Sequence, residues 1–318
     1  MNSSKYVLLF GMPRSGTTWV GKLFDSHKDI NYLHEPDSVE PSTDIPLLVE
    51  QNSPMSEQLK GMVSKWLQPT AEKVIASRPF FKKSYMSLPQ WWLFLLTAYA
   101  SKISAKLKLP FSFKPIRTFS NAPVTVWKSI ESLGRVTVVQ ELLGAQVVQI
   151  IRHPCGQIAS TFRGEKMHVF EGSIETSEDW DFFDRLIKHS DEHRFSLEDI
   201  KKMYPEERLA FRWGVINDYA LKRLNKTNST VLIYEDLCRQ PKEKIAELFT
   251  TLGLTLKEET LAYINESTGG DDTAYYATQK VPLVAAYKWK DELSTEQISR
   301  IANMVSHFES GKFYVDDF

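Results

Sequence analysis

The sequence predicts an α/β protein: a P-loop-like parallel sheet flanked by helices, with a helical insertion rich in basic and aromatic residues. Three observations carry this prediction. Short apolar runs at Tyr6–Phe10, Ile30–Leu33, Val124–Trp127, Gln146–Ile151 and Thr230–Tyr234 are rich in Val and Ile, as strands buried on both faces are. Helical periodicity separates and follows them. The first run meets a glycine-bracketed turn, Gly11-Met-Pro-Arg14-Ser15-Gly16-Thr17-Thr18-Trp19, and then an apolar stripe.

That first unit is the most informative. The stripe Trp19, Val20, Leu23, Phe24 and His27 reads as a helix. A strand, tight loop and helix N-terminus together form a nest of backbone N–H groups that favours an anion. Gly11 and Gly16 have the spacing of a nucleotide-phosphate loop, but Thr17 stands where a nucleotide triphosphatase carries its lysine. The cation lies inside the loop instead, at Arg14. A ligand with a phosphate-like group but no triphosphate chemistry fits this arrangement. A kinase would need lysine at position 17; a nucleotide-binding module without catalysis is the other alternative.

Ile30–Leu33 places His34 and Glu35 at a strand's carboxyl end, beside the loop. Glu35 precedes Pro36, so it can act as a general base or merely cap a turn. His34 is the competing base, and strand alternation predicts that only one of the two faces an acceptor. Residues of about 40–120 form the insertion. Residues 73–120 hold nine Lys/Arg and no Asp or Glu, interleaved with Phe80, Phe81, Trp91, Trp92, Phe94, Tyr99, Phe111, Phe113 and Phe119. Three readings stand: a subdomain whose aromatics pack on the sheet and whose lysines, Lys82 and Lys83 among them, are solvated; an acceptor lid; or a membrane-surface contact.

The later elements follow in the same way. Lys128 closes the run Val124–Trp127. Gln146–Ile151 ends at Arg152, and a Pro-containing turn leads to a helix carrying Ser160. Arg152 can clamp an anion bidentately and Ser160 can donate a hydroxyl to it. Trp213, Ile216, Ala220 and Leu224 line one helix, and Ile245, Leu248, Phe249 and Leu252 another, closed by Gly253. Ile298, Ile301, Val305 and Phe308 line a third.

Composition narrows the class. A formal net charge of −1 argues against nucleic acid as a partner. Two cysteines, Cys155 and Cys238, argue against a disulfide scaffold and fit a reducing compartment. The apolar window Trp91–Ala100 is half a membrane span. A single domain over 1–318 is expected.

Arg14-Ser-Gly-Thr-Thr-Trp19 after a strand resembles the 5′-phosphosulfate loop of sulfotransferases, which use 3′-phosphoadenosine 5′-phosphosulfate (PAPS). Arg152 with Ser160 eight residues later resembles their 3′-phosphate motif. Tyr234-Glu-Asp-Leu237 and Tyr287-Lys288-Trp-Lys290 resemble segments of the carbohydrate branch, as does Tyr32-Leu-His-Glu35-Pro36. The separation of Glu35 from Arg14 is similar to that in tyrosylprotein sulfotransferases. The resemblance implies PAPS as donor and 3′-phosphoadenosine 5′-phosphate (PAP) as product. They would be held by Arg14, Ser15, Gly16, Thr17, Thr18, Trp19, Arg152, Ser160, Tyr234 and Lys288. Trp19 and Tyr234 would flank the adenine or else belong to the core.

Glu35, Arg14 and Lys128 are the implied catalytic residues, Lys128 matching the lysine that relatives place before the 3′-phosphate motif. The reaction implied is in-line transfer to a hydroxyl- or amine-bearing acceptor: carbohydrate, lipid, small natural product or protein tyrosine. No metal is expected, because Arg14 and Lys128 supply the charge. The resembled Golgi enzymes carry an N-terminal anchor, whereas here the loop follows Met1 closely, so a cytoplasmic, bacterial enzyme is expected.

Overall fold

A computed structural model describes residues 5–39, 45–108, 114–117, 122–167, 174–269 and 282–318. Phe111, Phe113, Phe119 and His168 lie outside them. Five strands, β1 (Tyr6–Gly11), β2 (Ile30–His34), β3 (Val124–Ser129), β4 (Gln146–Ile151) and β5 (Ser229–Ile233), form one parallel sheet in the order β2-β3-β1-β4-β5. β1 is central, with Leu9 level with Lys128 of β3 on one side and Val148 of β4 on the other. Every carboxyl end therefore faces the same edge, where ligands of open α/β sheets bind.

Alternation along β1 explains the double burial. Leu8 and Phe10 enter one core with Trp127, Val147, Phe211 and Trp213. Val7 and Leu9 enter the other with Val20, Leu23, Phe24 and Phe249. Period-2 side chains feed two cores at once, so the strand reads as a continuous apolar run. The predicted helices form at Thr17–Ser26, Pro205–Arg223, Pro241–Thr251 and Thr295–Val305, and Gly253 follows the third of these in the left-handed region at φ 69°.

Two expectations need correction. Tyr234 does not end a strand: β5 stops at Ile233, and Tyr234 opens the helix Tyr234–Arg239, with Glu235 and Asp236 in its first turn. Acidic residues there suit the positive end of a helix, a signal that the apolar run Thr230–Tyr234 conceals.

The insertion also packs differently. Of its described aromatics, Phe81 packs against the second core and on Tyr263, but the others do not spread over the sheet. Phe80, Tyr85 and Trp91 pack around Ala76, Met86, Phe94 and Ala98 in a small core of their own, while Trp92 and Tyr99 are exposed. Lys83 is buried rather than solvated. It pairs with Asp25 at 3.0 Å and donates to the His27 carbonyl at 3.2 Å, while Lys22 holds Asp25 from the other side at 2.7 Å. Charge patterning within the insertion cannot reveal an aspartate supplied by the first helix. Arg117 likewise turns inward and donates to the Ile75 carbonyl at 2.8 Å.

Candidate active site

The loop after β1 is shaped by two left-handed residues, Arg14 at φ 69° and Gly16 at φ 87°. The first helix begins at Thr17, and Gly16 offers its amides no side-chain cap. Its first-turn N–H groups have no acceptor within the helix, so they face the loop as an anion site. Ser15 and Thr17 are both buried, and the Ser15 hydroxyl donates to the Met12 carbonyl at 2.7 Å, closing the turn. Glycine is required at 16 for a second reason: a Cβ there would stand 2.2 Å from the Tyr234 ring.

β4 delivers Arg152 to the same place. One terminal nitrogen donates to the Arg14 carbonyl at 3.0 Å and the other to the Ala285 carbonyl at 2.8 Å. Its guanidinium lies 4.9 Å over the Tyr234 ring. Its Nε is buried with no hydrogen-bond partner among the described residues. An orphaned guanidinium N–H beside an uncapped helix N-terminus fits an anionic ligand such as a nucleotide phosphate. Arg14 Nε donates to Ser160 Oγ at 3.0 Å, which joins the two motifs directly.

The remaining residues expected at the nucleotide divide. Trp19 is buried and donates to Ser267 at 3.1 Å, with its ring edge-on to Tyr234 at 6.3 Å. That is a core placement with one edge on the site. Lys288 caps the short helix Trp289–Glu292, whose Trp289 stacks on His153 at 4.5 Å.

The second group gathers at β2 and β3. The Glu35 amide donates to the Lys128 carbonyl at 2.9 Å, and Lys128 Nζ bonds the Glu35 carboxylate. Lys128 is fully buried and Glu35 nearly so. Burial would raise the Glu35 pKa, but Lys128, His34 and Lys73 outweigh it and hold the carboxyl down to about 2. Burial and Lys128 push His34 down to about 3, so its ring is neutral at physiological pH.

Strand alternation does not separate His34 from Glu35. Glu35 takes φ 51° just past the end of β2, and this turn brings its carboxylate within 4.0 Å of His34 Nε2. His34 is meanwhile engaged by the Tyr32 hydroxyl at 2.8 Å. Period-2 reasoning stops applying where the strand stops.

Two residues escaped the sequence reading. Lys73, an exposed residue of the insertion, reaches the second oxygen of Glu35 at 3.0 Å. Nothing local in the sequence signals that contact. Glu235 is buried and accepts from the His153 amide and the Tyr314 hydroxyl, each at 3.1 Å, bracing the turn after β4. The Tyr234–Leu237 motif was its available signal. A cavity also opens beside the loop, lined by Met12, Arg14, Gln157, Thr161, Leu209 and Arg212.

A parallel sheet with an anion-ready loop after its central strand and a braced arginine just past the neighbouring strand defines the phosphate-loop class of nucleotide-handling proteins. Within that class the chain belongs to the sulfotransferase family, whose family model matches residues 7–258. It is an enzyme of the kind that takes PAPS as donor and releases PAP. The chain is 23% identical to rat carbohydrate sulfotransferase 1, a match covering 96% of this chain and 78% of the relative. The human carbohydrate sulfotransferase 1 is also 23% identical, over 95% of this chain and 77% of that one. Among solved structures, the sulfotransferase domain from the curacin biosynthetic pathway is similar at 15% identity and a TM-score of 0.44, covering 95% of this chain and 97% of the other.

These curated relatives are vertebrate proteins, so they do not support the expected bacterial origin or cytoplasmic location. Among the described residues, no helix is long and apolar enough to cross a membrane.

Proposed function

We propose that this enzyme transfers the sulfuryl group of PAPS to a hydroxyl of a carbohydrate, with Glu35 as general base. The observation that carries the base assignment is the placement of Glu35. An ionised carboxylate sits at the carboxyl end of β2, fixed by buried Lys128, with its other oxygen turned to exposed Lys73. The resemblance to carbohydrate sulfotransferase 1 favours a sugar over a lipid, an amine or a protein tyrosine.

When bound, the donor supplies an activated sulfuryl group attached to a 5′-phosphate. Arg14, Ser15 and the amides of Gly16, Thr17, Thr18 and Trp19 hold the 5′ anionic end. Arg152 and Ser160 hold the 3′-phosphate, with Tyr234 and Lys288 closing the nucleotide side. Lys128 offsets charge that develops on the bridging oxygen, and Glu35 takes the acceptor's proton. Charge stabilisation and positioning carry most of the rate, as in phosphoryl transfer.

The test is an acceptor screen with labelled PAPS over carbohydrates, lipids, amines, small alcohols and tyrosine peptides. Label transferred to sugars by the wild type and lost in Glu35→Gln supports the reading. Transfer only to another acceptor class overturns the carbohydrate assignment. Undiminished transfer by Glu35→Gln overturns the base.

A further inference from the structure

The longest helix of the insertion, Leu88–Lys106, has two faces of unusual character. Phe94, Ala98, Ser101 and Ser104 are buried against the insertion. The opposite face should be polar in a solvated helix. Instead it presents Leu88, Trp92, Leu96, Tyr99, Ile103 and Leu107, spaced three or four residues apart. Trp92 is 61% exposed, Leu96 68%, Ile103 56% and Leu107 63%. Scattered apolar residues need no explanation, but a continuous stripe over five turns does.

The charge around the stripe says what covers it. From Lys73 to Arg117 the sequence has no acidic residue. Lys106 interrupts the stripe and Lys108 follows it, both exposed, and the exposed Arg78 guanidinium lies 5.1 Å over the Tyr99 ring. We infer that this helix lies on the surface of a bilayer bearing anionic lipid. The stripe enters the headgroup–acyl boundary, the cations meet lipid phosphates, and Trp92 and Tyr99 sit at the interface where such amphipathic rings are favoured. A second copy of the chain fits poorly. A two-fold contact through this face would set two surfaces carrying Lys106, Lys108 and Arg78 against each other, with no acidic residue from Lys73 to Arg117 to pair them.

The placement also reaches the reaction centre. The helix is fastened to Glu72 by Ser101 and by Lys102 at 3.1 Å, and the neighbouring Lys73 touches Glu35. Membrane-facing helix and candidate base thus share one segment. The bilayer contact itself is independent of the proposed acceptor and of the role of Glu35.

Flotation of the full-length chain with vesicles of phosphatidylcholine, alone or with phosphatidylglycerol, tests the inference. Binding is expected only with phosphatidylglycerol, and it should weaken with salt because surface charge is screened. Trp92→Ser/Leu96→Ser and Lys106→Glu/Lys108→Glu should each lower partitioning by about 10-fold or more. All four residues are exposed, so the variants should keep wild-type circular dichroism and PAP affinity. Absence of binding to either vesicle overturns the proposal, as does binding that neither double variant reduces. A dimer in sedimentation that Trp92→Ser/Leu96→Ser dissolves, with no vesicle binding, would assign the face to a second copy.

Discussion

The side chain of Arg152 donates to the backbone carbonyl of Arg14 at 3.0 Å, tying the end of β4 to the loop after β1. The two arginines are 138 residues apart in sequence and form one cationic corner. Arg14 Nε completes it by donating to Ser160. The loop's left-handed shape and the second motif's arginine are therefore mechanically coupled.

Removing either arginine should weaken nucleotide binding without unfolding the chain. Each charge-assisted contact is worth about 1.5–3 kcal/mol, or roughly 10- to 150-fold in affinity. Calorimetric titration with PAP should show that loss in Arg14→Ala and Arg152→Ala. Arg152→Lys should recover only part of it, since an ammonium cannot span the carbonyls of Arg14 and Ala285 as the planar fork does. Wild-type affinity in both alanine variants would remove the corner from the nucleotide site.

Gly16→Ala should damage the loop itself. A non-glycine residue in a left-handed conformation costs about 1–3 kcal/mol, and the added Cβ would also strike Tyr234. A lowered melting temperature together with lost PAP binding is the expected result. Normal values of both would mean that the loop relaxes without cost.

Glu35→Gln should lower turnover by about 10²–10⁴-fold with PAP affinity near normal, because the amide keeps the shape but cannot take a proton. His34→Gln should be mild. The pH dependence follows from the sign of the shift. The folded Glu35 pKa lies below its ordinary 4.5, at about 2, so the pair with Lys128 contributes fully above pH ~4.5 and is lost as pH falls toward 2. A kcat profile should show no acidic limb from Glu35 between pH 6 and 8. Lys73→Met removes one of the cations holding the pKa down, so any acidic limb should move upward.

The buried cluster of Asp25, Lys22 and Lys83 predicts a stability effect where the sequence suggested a solvated lysine. Asp25→Ala strands two buried ammonium groups and should cost on the order of 3–5 kcal/mol in chemical denaturation. The Asp25 pKa is also depressed. Burial opposes this, but Lys22 and Lys83 outweigh it, so the contribution is present at neutral pH and lost in acid below the ordinary 3.8. A variant as stable as the wild type would show that water reaches the cluster.

What the sequence determined by itself lies where the signal is local. Apolar runs of four to six residues specify β1 to β4 because strands buried on both faces need no partner to be recognised. The same holds for the placement of Gly16, Arg14, Arg152 and Ser160, which follows from strand–turn–helix junctions. Tertiary structure decided whatever depends on a distant group. It buried Lys83 on an aspartate of the first helix, brought Lys73 to Glu35, and engaged Trp19 with Ser267. It also turned Glu35 toward His34 through one left-handed residue that no strand periodicity predicts. Charges and hydroxyls act through space, and only the packed chain sets which of them meet.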